Sequence, residues 1–369
     1  MAEPLKTFFN ARLVERLATA LHAASPSFPR AAFIREASAG LEGHELLGRA
    51  RQLASAMHRA LPPDYPNAVE VLLRSLGPER VETEGSGMEV FFYMPHTLYV
   101  AEHGLEHFEE SMRAQHALTK RFTAEFSIRP YLEHHPDRTL ARLREWATDA
   151  NVHVRRLVSE GTRPRLPWAS RLRAFQQDPR PVLALLELLK DDPELYVRRS
   201  VANNLNDIGK DHPDVLVRVA KAWMKDAPPE REWLIRHALR SAIKRGEPEA
   251  LEVVGARKPS GIEVRATALP PRASVGGTVD VRFEVANRSG RSQTLVVDLA
   301  VYFQKASGEA RPKVFKVRAL TLEPGQAEEV GKRVSFKQLT TRRHYPGPHR
   351  FEALVNGQGM PLGTVDVAG

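Results

Sequence analysis

Three carboxylates are the side chains in this sequence best placed to do chemistry: Glu125, Glu160 and Asp207, each set among arginines. Glu160 sits in Val154–Trp168, V-R-R-L-V-S-E-G-T-R-P-R-L-P-W. On a helix of 3.6 residues per turn, Val154, Leu157, Val158 and Gly161 make one narrow stripe, and Arg156, Glu160 and Arg163 fall on the opposite side. One face packs and the other meets a partner. An acid among guanidinium groups, followed by Trp168 between Pro164, Pro167 and the next helix, suits a partner with both negative and positive charge. A plainer reading stands beside each residue. Arg156 and Glu160 have the spacing of an ordinary helical salt bridge, worth a few tenths of a kcal/mol, and Glu125 has Arg121 and Arg129 at the same spacing. Trp168 fits a plug between structural repeats. Asp207, just ahead of Gly209 at a helix C-terminal turn, is harder to explain that way, because an acid there opposes the helix dipole.

These residues recur in a repeating frame. V-R-R at Val154 returns at Val197, an offset of 197 − 154 = 43, and Pro136–Trp146 aligns with Pro179–Leu189 at the same distance. His212–Leu216 reads as a third, shortened start. Acidic turns at Asp149, Asp191-Asp192 and Asp226 precede helices opening Val154-Arg155, Val197-Arg198 and Ile235-Arg236. Helix pairs with this period predict a HEAT-like α-solenoid, in which second helices line one concave surface. Arg155, Arg156, Arg163, Arg165, Arg198, Arg199 and Arg236 would then form a basic stripe for phosphates.

Residues 1 to about 120 read as several short antiparallel helices: Leu5, Phe8, Phe9, Leu13, Leu17 and Leu21 keep a three-to-four spacing, and Pro26, Pro29, Pro62 and Pro63 mark connections. The aromatic segment Glu89–Val100 reads as an ordered loop leading into a helix from about Val100. After Arg257–Gly261 apolar and polar residues alternate in about seven short runs, from Ile262–Ala268 to Gly363–Val367. Turns such as Gly276-Gly277, Asn287–Gly290, Ser307-Gly308 and Pro324-Gly325 separate them. This predicts a smaller antiparallel β-sandwich of immunoglobulin-like form without its cysteine pair. The expected division is 1–256 helical and 261–369 sandwich, in a mainly α protein.

Composition narrows the function. The chain has 369 residues, a formal net charge of +9 and no cysteine. Thiol nucleophiles, disulfides and thiolate metal sites are excluded, and a polyanionic partner is favoured. There is no P-loop, G-x-G-x-x-G, G-x-S-x-G or kinase set, which argues against nucleotide cofactors and serine hydrolase chemistry. His103 and His107 have helical metal-ligand spacing but no third ligand fixed with them, so neither metal nor cofactor is expected. No apolar run spans a membrane and no signal peptide opens the chain, which predicts a cytoplasmic, nucleoid-associated protein and, on balance, a monomer.

Three blocks carry a family resemblance: Arg121–Tyr131 (R-F-T-A-E-F-S-I-R-P-Y), Asn151–Trp168, and Tyr196–Asp211 (Y-V-R-R-S-V-A-N-N-L-N-D-I-G-K-D). They resemble the signature blocks of the AlkC-type DNA alkylation repair glycosylases, and the segment around Thr341–Gly347, with Arg342 and Arg343, is similar to the immunoglobulin-like domain that some members carry. The resemblance implies a HEAT-like superhelix acting on double-stranded DNA containing alkylated bases. It implies removal of cationic bases such as 3-methyladenine and 3-methylcytosine without extruding the nucleotide. It also places Glu125, Glu160, Trp168 and Asp207 at catalytic or lesion-contacting positions. Separately from the resemblance, Arg342 and Arg343, beside Tyr345-Pro-Gly, hint at a minor-groove or phosphate contact. The alternative is a non-catalytic HEAT-like scaffold that binds nucleic acid or protein, with Glu125 and Asp207 structural.

Overall fold

Helices fill the first two thirds of the chain and strands the last third, with the change falling between Val253 and Ile262. The computed structural model describes residues 4–85, 87–305, 311–338 and 343–369. Arg342 and the Ser307-Gly308 turn lie outside them. Two compact units emerge, residues 1–212 with 227–238, and residues 213–226 with 239–369.

The first unit opens with the helices Ala11–Ala24, Arg30–Ser38, Leu46–Ala60, Tyr65–Arg74, Met94–His103 and Phe108–Thr119. Their starts follow local chemistry. The Asn10 side chain accepts from the Leu13 amide and Asp64 from the Asn67 amide, each satisfying an amide that the first turn leaves unpaired. Leu13, Val14, Leu17, Ala18 and Leu21 are buried at the spacing read from the sequence. The segment Glu89–Val100 departs from its expectation: a 3-10 turn, Glu89–Tyr93, runs directly into the helix Met94–His103. Pro95 sits in the first turn of that helix, where its missing N–H costs nothing, and Tyr99 and Val100 are buried. The high aromatic content reflects burial, with no strand formed.

Two helix pairs realise the 43-residue repeat, Pro136–Trp146 with Val152–Gly161 and Arg180–Leu189 with Leu195–Asp211. The acidic turns between the helices of each pair are built alike. Asp149 Oδ1 accepts from the Asn151 amide at 2.7 Å, and Asp192 Oδ1 accepts from the Glu194 amide at 2.9 Å. The second helices lie side by side, with Leu195–Asp211 packed on both Val152–Gly161 and Pro229–Ala238. Gly161 is required by a close approach, since a Cβ there would come within 2.6 Å of Ile128. The third repeat is less complete than its sequence suggests: Pro229–Ala238 belongs to the first unit, while Pro213–Met224 belongs to the second and packs on Pro248–Val253.

After the short helices Arg240–Lys244 and Pro248–Val253, the described residues of the second unit form a sandwich of eight strands: β1 (Ile262–Ala268), β2 (Arg272–Ser274), β3 (Thr278–Asn287), β4 (Gln293–Phe303), β5 (Arg311–Leu322), β6 (Ala327–Ser335), β7 (Gly347–Val355) and β8 (Gln358–Ala368). One sheet has the order β1-β3-β6 and the other β2-β8-β7-β4-β5. The short strand missed in the sequence is β2, three residues long and paired parallel to β8, so the sandwich is not wholly antiparallel. In β3 the inward set Val279, Val281, Phe283 and Val285 is buried against Leu295, Val297 and Leu299 of β4. Asn356 and Gly357, both with positive φ, close the two-residue β7–β8 hairpin.

Candidate active site

Glu125 lies in the connection before the helix Arg129–His134, where residues 121–128 form turns instead of a helix. The expected i±4 pairs with Arg121 and Arg129 therefore do not form. Arg156 reaches it from the helix Val152–Gly161, with Nη1 at 2.7 Å from Glu125 Oε2. Thr123 Oγ1 donates to the same oxygen at 2.7 Å and accepts from Arg156 Nη1 at 3.0 Å. Glu125 is thus held both by Thr123 of its own turn and by Arg156 of the helix Val152–Gly161.

From Arg156 a chain of charges continues. Arg156 Nη2 stands 3.5 Å from Glu160 Oε1, and Arg163 Nη1 donates to that oxygen at 2.7 Å. Arg163 Nε donates to Asp207 Oδ2 at 2.8 Å, and Lys210 Nζ donates to Asp207 Oδ1 at 2.7 Å. The other Glu160 oxygen accepts from Ser200 Oγ at 2.6 Å, and Ser159 Oγ donates to Ser200 at 2.7 Å. All three predicted acids meet in one network. The polar side of helix Val152–Gly161 is nevertheless not an open face, because Leu195–Asp211 covers it and leaves the Glu160 side chain 7% exposed.

The electrostatics favour the charged forms at the centre of this network, Arg156, Glu160 and Arg163. Burial pushes the Glu160 carboxyl up, but the Arg156 and Arg163 charges and the Ser200 and Arg163 hydrogen bonds outweigh it and hold the group below the usual carboxylate range. Burial disfavours the Arg156 charge, and Glu160 and Glu125 more than restore it. Such a buried network is a poor way to gain stability, since well-packed apolar residues often do as well, while removing one partner costs about 3–5 kcal/mol. Its presence at a cleft points to a site with work to do. The cleft, about 580 Å³, is bordered by Glu125, Glu160, Arg163, Phe91, Phe122, Phe126, Leu166 and Trp168. Asp207 does not border it and sits one layer deeper, behind Arg163.

Trp168 is not a plug. It is 77% exposed and has φ 65, a left-handed conformation that bulky residues rarely adopt. The loop that carries it is held from beneath by Arg129, which donates through Nη1 to the carbonyls of Gly161 at 3.0 Å and Arg163 at 2.9 Å, and through Nη2 to that of Ser170. Burial pushes the Arg129 guanidinium down to about 10. The indole is thus exposed, backbone-strained and set at the rim of an acid-bearing cleft.

The predicted phosphate arginines divide by what they touch. Arg155 Nη1 donates to the carbonyls of Asp149 and Ala150, and Arg198 Nη1 does the same to those of Asp192 and Pro193. Arg155 also grips Asp192 through Nε at 2.6 Å. These two staple the inter-helix turns, a structural role that the expected phosphate contact did not include. Arg156 and Arg163 are committed to the acids, and Arg165 to Asp211, with Nε at 2.8 Å. Arg199, 41% exposed, pairs with Glu84. Arg236 is exposed at the end of its helix, and Arg343 lies over the Tyr345 ring at 5.6 Å.

Other residues of the site went unread in the sequence. Ser200 and Thr123 carry no spacing signal. Lys210 does, at i+3 from Asp207, and Arg171 and Arg173 are exposed beyond the Trp168 loop. His103 stacks on His58 at 3.7 Å and His107 on Tyr65 at 5.0 Å. Among the described residues no group of three or more His, Cys, Asp and Glu side chains is placed to hold a metal ion, and no helix is long and apolar enough to cross a membrane.

Comparison with known proteins agrees with this layout. Residues 117–245, which contain the whole charge network, match the family described as DNA alkylation repair enzyme. Residues 263–369 match the C-terminal Ig-like domain of the uncharacterised protein YhaZ. The chain is 36% identical over 358 residues to the uncharacterized protein YhaZ of Bacillus subtilis, covering 96% of each. It is also similar to the solved structure of Pseudomonas fluorescens alkylpurine DNA glycosylase AlkC bound to DNA containing an abasic site analog, with 35% identity, a TM-score of 0.90 and full coverage of both chains. The chain belongs to the AlkC-type DNA alkylation repair enzyme family, with helical repeats followed by a C-terminal Ig-like domain.

Proposed function

We propose that this protein is a DNA glycosylase that hydrolyses the N-glycosidic bond of cationic N3-alkylated bases, 3-methyladenine and 3-methylcytosine, in duplex DNA without extruding the nucleotide. It acts as a monomer at the cytoplasmic nucleoid and uses no metal or cofactor. The observation that carries this reading is the pair Glu125 and Glu160, held by arginines at the wall of an aromatic cleft beside Trp168. The full-length likeness to a glycosylase solved on abasic-site DNA supports it.

N3-alkylation gives the base a positive charge and makes it a good leaving group, so its departure needs no strong acid and leaves an oxocarbenium-like sugar. Negative charge near that sugar and a held water are what help. A carboxylate about 4 Å away contributes roughly 4 kcal/mol at an effective dielectric of 20, about a thousandfold in rate. Glu125, with a single arginine partner, leads this field and positions the water. Glu160 shares its charge with two arginines and orients them. Asp207 adds its charge from behind Arg163. Trp168 packs against the deoxyribose or the base edge. Arg165, Arg199, Arg236, Arg342 and Arg343, joined by Arg171 and Arg173, hold phosphates. The excision chemistry belongs to residues 1–256, and residues 261–369 serve DNA engagement.

The test is to incubate the protein with methylated duplex and chromatograph the released bases. Release of 3-methyladenine that Glu125→Gln abolishes without loss of DNA affinity is the expected result. Binding with no release by the unaltered protein would make it a scaffold.

A further inference from the structure

The charge chain Glu125–Arg156–Glu160–Arg163–Asp207–Lys210 alternates in sign and ends on an ammonium. Three carboxylates face three cations, so the chain is neutral as it stands. Its surroundings are balanced too: Arg129 feels Glu133, and Arg165 is paired with Asp211. A neutral chain offers a cationic base little net attraction.

Five of the six members cannot move without stranding a buried charge, since their side chains are 2–17% exposed. Lys210 differs. It is 41% exposed, lies in the last turn of the helix Leu195–Asp211 and makes one hydrogen bond, to Asp207 Oδ1. A half-exposed ammonium on a flexible stem is strongly hydrated and weakly held, so another anion can take it over. A duplex brings such anions along its whole length.

On the glycosylase reading above, we infer that Lys210 is a phosphate-responsive latch. In the free protein it masks Asp207. When the DNA backbone draws its ammonium away, the chain is left with one net negative charge, carried by Asp207 behind Arg163, one layer below the cleft that takes the cationic lesion. Docking on DNA and the electrostatic readiness of the site are then one event, and Lys210 is a positioning residue that acts through Asp207.

Lys210→Met and Lys210→Arg in the full chain test this, by duplex affinity against salt and by single-turnover excision from methylated duplex. Lys210→Met is expected to lower the slope of log affinity against log salt by about 0.9, one phosphate contact. Its excision loss is expected only at sub-saturating duplex, following the weaker binding, and Lys210→Arg is expected to restore the slope. An unchanged slope overturns the inference, and so does a tenfold or greater loss of excision at saturating duplex in a Lys210→Met protein that melts like the unaltered one. If the unaltered protein releases no base, the glycosylase reading fails separately, and the salt slope still decides whether Lys210 takes a phosphate.

Discussion

The second helices of the two complete repeats, Val152–Gly161 and Leu195–Asp211, begin with the same V-R-R and use it in two ways. Arg155 and Arg198, at an offset of 198 − 155 = 43, do the same job, clamping the carbonyls of the turn before their helix. Arg156 and Arg199, at the same offset, do not. Arg156 is buried between Glu125 and Glu160, whereas Arg199 is exposed and pairs with Glu84. The difference comes from what faces each arginine. The turn at 121–128 brings Glu125 to Arg156, and the position matching Glu160 in the later helix is Asn203. What the repeats share builds the scaffold, and where they diverge the site begins.

The comparison can be broken or sharpened by substitution. The largest effect is expected on chemistry: Glu125→Gln should lower single-turnover excision about a thousandfold with duplex affinity retained. Near-normal excision by that variant would detach the network from catalysis. Next comes stability. Arg163→Met removes the buried cation that Glu160 and Asp207 share and should cost about 3–5 kcal/mol in urea unfolding, whereas Arg199→Met, in the other helix, should stay within about 0.5 kcal/mol.

Acid should act through the same network. Because the folded Glu160 carboxyl is held below its ordinary value of 4.5, its stabilising share is complete above that pH and is lost as pH falls through the lower folded value. Glu160→Gln should flatten the decline in stability below about pH 4.5; an equally steep decline would put the acid sensitivity elsewhere. A smaller change is expected at the rim. Trp168→Gly removes left-handed strain from an exposed residue, so it should raise stability by about 1 kcal/mol while lowering excision about tenfold. A drop in melting temperature would mean that the indole packs more than it is strained. The smallest effect is expected from Arg199→Ala, a reduction of the salt slope by about 0.9 at most with excision at saturation kept.

Much of this was legible in the chain itself. Helical spacing, the 43-residue repeat, the acidic turns and the alternation after Gly261 determine a helical repeat followed by a sandwich, because local periodicity decides which faces can be buried. The types and positions of Glu125, Glu160, Asp207 and Trp168 marked where chemistry could sit. Only tertiary packing decided who partners whom. Arg121 and Arg129 stand at helical distance from Glu125, yet the backbone there turns, and Arg156 arrives from 31 residues away, 156 − 125 = 31, to take their place. Two adjacent arginines in one motif became a turn staple and the partner of two acids, because successive residues on a helix point about 100° apart and meet different neighbours. A sequence fixes that angle; which group waits across the gap is settled when the layers stack.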